Sequence, residues 1–175
     1  MKKKIQATNA RYSAKVEDLL NQLAPLGDDL LNKKPADGGW SAIQTLHHLI
    51  LVEENSMAYI HKKLSFHPKL EKAGIRSMLQ SFLLQISLRS PFKFKAPKAA
   101  AAERIPDSAL FADTRARWER IRHEWTVFLD NMPVDLSEKA VYNHPFAGRL
   151  SWIQMINFMR AHFERHRGQV LRAVS

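Results

Sequence analysis

Apolar positions recur along this chain at intervals of three and four, the spacing that collects side chains on one face of an α-helix. In 151–170 the stripe is Trp152, Met155, Met159, Phe163 and Val170, with Arg160, Glu164 and Arg167 on the far side. In 5–26 it is Ile5, Tyr12, Val16, Leu19, Leu20 and Leu23, and Pro25 and Gly27 end the pattern. A further helix is predicted over 41–64. Ser41 and Gln44 have the spacing of a capping box, and 43–52 is apolar on nearly every side, as in a helix surrounded by others.

A shorter amphipathic pattern, Ile75, Met78, Leu79, Phe82 and Ile86, ends near Pro91, and a long basic loop follows over 92–106. The modest charge of 75–95 suits a crossover helix packed on its neighbours better than one lying on a membrane surface. Another long helix is predicted over 110–132, capped by Asp107 or Ser108 and stopped by Pro133. Phe111, Trp118, Ile121, Trp125 and Phe128 form its inner face, and Arg115, Arg117, Arg120 and Arg122 its exposed side. Segments 28–39 and 134–149 read as connectors. A second capping box, Ser151 with Gln154, opens the final helix. No alternating strand pattern emerges. The expected fold class is all-α: a four-helix bundle with an additional short helix in the connection between the second and third long helices, forming a single domain over 1–175.

Composition changes this picture in three ways. With 45% apolar and 25% charged residues, the chain is globular rather than disordered. It has no cysteine, which excludes disulfides, thiolate zinc sites and a cysteine nucleophile. The run Lys2 to Lys4 precedes no apolar signal-peptide core, and no apolar run is long enough for a membrane span, so a cytoplasmic protein is expected. The formal net charge is +10. Its basic residues are spread along the chain without interleaved aromatics. That pattern predicts a solvated basic surface; of the partners such a charge could favour, which are an acidic partner, nucleic acid or an anionic small-molecule substrate, it makes nucleic acid an unlikely one.

The candidate chemistry lies in the histidines. His162 and His166 fall inside the apolar stripe, four residues apart and one turn above each other. Buried imidazoles need partners for their ring nitrogens, and a divalent metal serves two at once. Three histidines leaving one open position are a usual catalytic metal site. A third ligand has to come from another helix, and His47 and His48 sit in the most apolar part of the second one. Periodicity does not choose between them. Glu53 and Glu54, one turn on, are the alternative partners for such imidazoles. His61, His67 and His123 lack paired spacing and are expected at the surface. His144, before Pro145, either approaches the open end of the site or shapes its loop. Gln169 and Arg149 are candidates for contact with the site or a substrate, and Trp40 and Trp152 for packing anchors.

The phrase Trp40-Ser41-Ala42-Ile43-Gln44-Thr45-Leu46-His47-His48-Leu49 resembles the W-S-x-x-x-x-L-x-H-L opening of the second helix in the DinB-like superfamily of metalloenzymes. His162-Phe163-Glu164-Arg165-His166-Arg167-Gly168-Gln169 resembles that family's C-terminal H-x-x-x-H-x-x-Q element. The resemblance implies His48, His162 and His166 as metal ligands, with His47 a neighbour. It also implies a bundle holding a divalent ion, zinc or nickel, and a homodimer. Segment 65–106 matches no family element and is expected to shape the substrate pocket.

Members with an assigned activity use low-molecular-weight thiols, as S-transferases and a thiol-dependent isomerase. The first functional expectation is therefore metal-dependent transfer of a low-molecular-weight thiol to an electrophile. The alternatives are a metal-dependent hydrolase using metal-bound water, with Glu53, Glu54 or Glu164 as base, and a non-catalytic basic binding module.

Overall fold

Helix formation follows the apolar stripes closely in the computed structural model of the chain, which describes residues 1–72, 74, 79, 83, 104–144 and 147–175. The long helices are α1 (Lys2–Leu23), α3 (Ala42–Ser65), α4 (Phe111–Asn131) and α5 (Trp152–Ala173), and α2 (Asp28–Asn32) is short. Both capping boxes form. The Ser41 hydroxyl accepts from the Gln44 amide at 3.1 Å and the Gln44 side chain accepts from the Ser41 amide at 3.2 Å. Ser151 and Gln154 repeat the exchange at the head of α5.

The described residues are all-α apart from an antiparallel hairpin, β1 (Ala140–His144) with β2 (Gly148–Ser151), and an isolated bridge between Lys72 and Lys139. The sequence reading took this stretch for a connector, because two strands this short carry too few positions to show alternation. Tyr142 pairs with Leu150, Asn143 with Arg149 and His144 with Gly148, whose φ of 63° suits glycine at the turn. The expected short helix at 75–86 lies almost wholly outside the described residues, where only Leu79 and Leu83 are described, both exposed. Most of the basic loop at 92–106 lies outside them too.

Two expectations about α4 are corrected. Its N-terminus is capped by neither Asp107 nor Ser108. The N-cap is Leu110, and Oδ1 of Asp28 on α2 accepts from the Phe111 amide at 2.8 Å. Asn32 on α2 also bonds both the amide and the carbonyl of Ala109. A distant side chain thus satisfies donors that local residues leave open. Nor are all four arginines exposed. Arg122 is buried beside Glu53, and Arg117 is partly buried beside Glu54.

Within this frame α1 packs on α4 and α5, and α3 packs on the same two helices. The core between them holds Trp118, Trp125, Trp152, Tyr12 and Phe163, all fully buried. Phe163 receives the edges of Tyr12 and Trp118, at centroid distances of 5.7 and 6.1 Å. No described helix is long and apolar enough to cross a membrane. The adjacency that matters is α3 on α5, because it sets the apolar head of α3 against the histidine face of the last helix.

Candidate metal centre

His48 sits two turns into α3 and is buried; His162 and His166, one turn apart on α5, are partly exposed. The rings converge. Nε2 of His48 lies 3.2 Å from Nε2 of His162, and the ring centroids of His166 lie 4.8 Å from His48 and 4.6 Å from His162. One nitrogen from each ring can be chosen so that all lie within 4.8 Å of one another, a group that could hold a metal ion. Two imidazole nitrogens at ~2.0–2.1 Å from a tetrahedral ion stand ~3.3 Å apart, close to the His48–His162 separation. The donors fit the group. They are neutral nitrogens, and the chain offers no thiolate to compete.

Electrostatics keep the rings in the ligating form. Burial pushes the His48 pKa down to about 4, helped by the neighbouring His166. His162 is held well below its ordinary value by burial, and then by the charges of His166, His48, Arg165 and His144. His166 is also lowered by burial, opposed by its bond to Gln169. Neutral imidazole is what a metal binds.

The surroundings orient the three rings. His166 Nδ1 donates to Oε1 of Gln169 at 3.0 Å, which leaves the ring's lone pair on Nε2. Trp40 packs its indole on His48 at 5.1 Å, and Phe158 stacks on His162 at 5.8 Å. Phe158 escaped the sequence reading, although its position one turn before His162 on the same face is the signal that points to it. Trp40 therefore touches the site. Trp152 is a buried anchor, its indole donating to the Leu136 carbonyl at 3.0 Å.

His47 faces elsewhere. Arg117 donates to its Nδ1 at 3.2 Å, and its Nε2 donates to Thr114 Oγ1 at 3.2 Å, tying α3 to α4. His144 ends β1, buried against Phe158 at 4.4 Å, and its Nδ1 accepts from the Ala147 amide, so it shapes the hairpin turn. Its pKa is pushed down to about 4 by burial. Arg149 points outward on β2 and pairs with Glu71 at 3.4 Å. His61, His67 and His123 are exposed, as expected.

The carboxylates considered as bases are engaged away from the three rings. Glu53 accepts from Tyr12 at 2.7 Å, Trp118 at 2.9 Å and Arg122 at 2.6 Å. Glu54 takes a two-pronged bond from Arg117 at 2.8 and 2.6 Å, and Glu164 pairs with Lys15 at 2.5 Å.

Comparison with known proteins adds one match. The sequence profile described as the DinB superfamily matches residues 11–170, a span that contains every residue of the centre. No curated protein and no solved structure matches the chain.

Proposed function

This chain belongs to the DinB superfamily, and on that footing we propose that it is a metal-dependent enzyme that transfers a low-molecular-weight thiol to a small electrophilic substrate. The metal ligands in this reading are His48, His162 and His166. The observation that carries it is the convergence of the three imidazoles from α3 and α5 on one partly exposed point. A zinc or nickel ion held there would supply the Lewis acidity that keeps a bound thiol as its nucleophilic thiolate. The protein's own residues do the rest. Gln169 holds the His166 ring in register, while Trp40 and Phe158 wall the site with apolar surface. The thiol sulfur forms the new bond to the electrophilic carbon, the electron pair of the broken bond leaves with that carbon's substituent, and the thiol proton goes to solvent.

Transfer is favoured over hydrolysis by the engagement of Glu53, Glu54 and Glu164 with Arg122, Arg117 and Lys15. Water attack calls for a general base at the open position, whereas a thiol that releases its proton to solvent on binding does not. In this reading residues 1–175 act as one cytoplasmic domain that pairs as a homodimer.

The test has two stages. Elemental analysis of protein purified without chelator or nickel resin is expected to find close to one divalent ion per chain. The loaded protein is then incubated with cellular thiols and an electrophile such as a chlorodinitrobenzene. Conjugate should form well above the rate given by His48→Ala. Equal rates for the two proteins would exclude the transferase reading, and release of carboxylic acid from an ester panel would replace it with hydrolysis.

A further inference from the structure

Lysines that are scattered along the sequence are gathered by the fold. α1 and α4 run antiparallel: Lys2 Nζ donates to the Asp130 carbonyl at 2.7 Å and Gln6 to the Asp130 carboxylate at 2.8 Å. α3 and α4 run parallel, since His47 meets Thr114 near their heads and the His61 ring lies 5.2 Å from Phe128 near their tails. The head of α1 and the tails of α3 and α4 therefore share one end of the bundle. That end carries the run Lys2 to Lys4 from α1, and Lys62 and Lys63 from the last turn of α3. The chain after α3 keeps Lys69 and Lys72 there, because Lys72 bridges Lys139 and Lys63 Nζ donates to the Val141 carbonyl at 2.9 Å.

Lys3, Lys4, Lys62 and Lys69 are exposed, and among the described residues none of them has a carboxylate partner. Glu71 and Glu138 nearby are matched by Arg149 at 3.4 Å and Lys72 at 2.6 Å. Asp130 and Asp135 oppose the remaining lysines, and Asp130 already accepts from Gln6. This end is therefore positive on balance. The arginines are placed differently: Arg115, Arg117, Arg122 and Arg167 each pair with a carboxylate of the bundle itself.

Apolar side chains stand out at the same end. Phe66, one turn after Lys62, is 72% exposed, and Val134, just past α4, is 70% exposed. Phosphates of lipid headgroups and of nucleic acid attract lysines alike. A bilayer also offers an acyl boundary that covers exposed apolar side chains, which a phosphate backbone does not. We propose that this end of the bundle docks on a bilayer surface rich in anionic lipid, with the lysines on the headgroups and Phe66 and Val134 at the acyl boundary. At 1.5 Å per residue along α3, Lys62 lies about 20 Å from His48, so the three histidines stay clear of the membrane.

The experiment is co-sedimentation of the full-length protein with vesicles of phosphatidylcholine alone, or with about one third phosphatidylglycerol added. The protein should bind the anionic vesicles, leave the neutral ones, and come off as salt is raised. Lys62→Gln with Lys69→Gln should weaken binding roughly 10- to 30-fold, at about fivefold per lysine near the surface. Lys3→Gln with Lys4→Gln should do the same, and Phe66→Ser should cost roughly tenfold. Lys33→Gln with Lys34→Gln makes the same change in net charge before the head of α3, at the opposite end, and should stay within about twofold of wild type. Circular dichroism that matches wild type shows that each variant is folded. No binding to anionic vesicles overturns the assignment. An equal loss in the Lys33 and Lys34 variant overturns it too, because net charge rather than this end would then be responsible. Unchanged vesicle binding in Phe66→Ser, with duplex DNA bound tightly and lost in the Lys62 and Lys69 variant, would give the surface to nucleic acid instead.

Discussion

Nδ1 of His166 and Oε1 of Gln169 stand 3.0 Å apart, three residues along the same helix. An amide oxygen can only accept, so the proton sits on Nδ1 and the lone pair on Nε2. The helix thereby fixes both the tautomer and the tilt of a candidate ligand before any ion arrives. Gln169→Leu is expected to weaken zinc binding about 10- to 100-fold, the usual cost of losing an outer partner of a ligating histidine, with little change in thermal stability. Competition titration against a chromophoric chelator measures this. Undiminished affinity would make the bond incidental.

Replacing a candidate ligand should cost more. His48→Ala, His162→Ala and His166→Ala are each expected to lose the ion during purification, whereas His47→Ala should keep it, because the His47 nitrogens are held by Arg117 and Thr114. Metal content by mass spectrometry separates the two outcomes. Loss of metal in His47→Ala at normal stability would redraw the site.

The metal-free protein should lose stability as pH falls. His48 and His144 are each pushed by burial from an ordinary value of 6.5 down to about 4. The unfolded chain takes up protons as pH drops through 6.5, while the folded chain resists until about 4, so unfolding binds protons across that window. Stability is flat above the window and declines within it, by up to about 3 kcal/mol for each group. Urea denaturation of chelator-treated protein between pH 7 and pH 4 checks this, and a flat profile would contradict it.

Glu53 and Arg122 form a buried ion pair at 2.6 Å, with Tyr12 and Trp118 on the same carboxylate and Asn9 and Ser13 on the same guanidinium. Glu53→Ala leaves the guanidinium buried without its counter-charge, an effect of about 3–5 kcal/mol. In a chain of this size the melting temperature should drop by roughly 10 °C. Glu53→Ala together with Arg122→Met should recover part of the loss. A double variant no better than the single would mean that packing, not charge, is at stake.

Asp28→Ala tests the cap that α2 lends to α4. Removing the Oδ1 that accepts from the Phe111 amide should cost about 0.5–2 kcal/mol. Asp107→Ala and Ser108→Ala should be close to neutral. Chemical denaturation of the three variants decides between a cap in space and a cap in sequence.

Much of the centre was legible in the residues because its marks are local. The two capping boxes are written within four residues of chain, and each forms. The pair His162 and His166 shares a face by spacing alone. The pairing of Gln169 with His166 follows the same helical repeat. Arg122 buried on Glu53 and Asp28 capping α4 escaped the reading because their partners lie far along the chain, and the hairpin around His144 escaped it because its strands are too short to show alternation.

By itself, then, the sequence determined where the long helices run, which faces are apolar and which histidines share one face. Helical periodicity and capping are rules of neighbours, so they can be read in one dimension. Only the tertiary structure decided that α3 lies against α5 and that each nearby carboxylate has a cation of its own, and it brings to His162 the His48 that the resemblance implied and periodicity left undecided against His47. The reason is physical. A helix apolar on nearly every side offers several equivalent faces, and only the packing of its neighbours selects the one that turns inward.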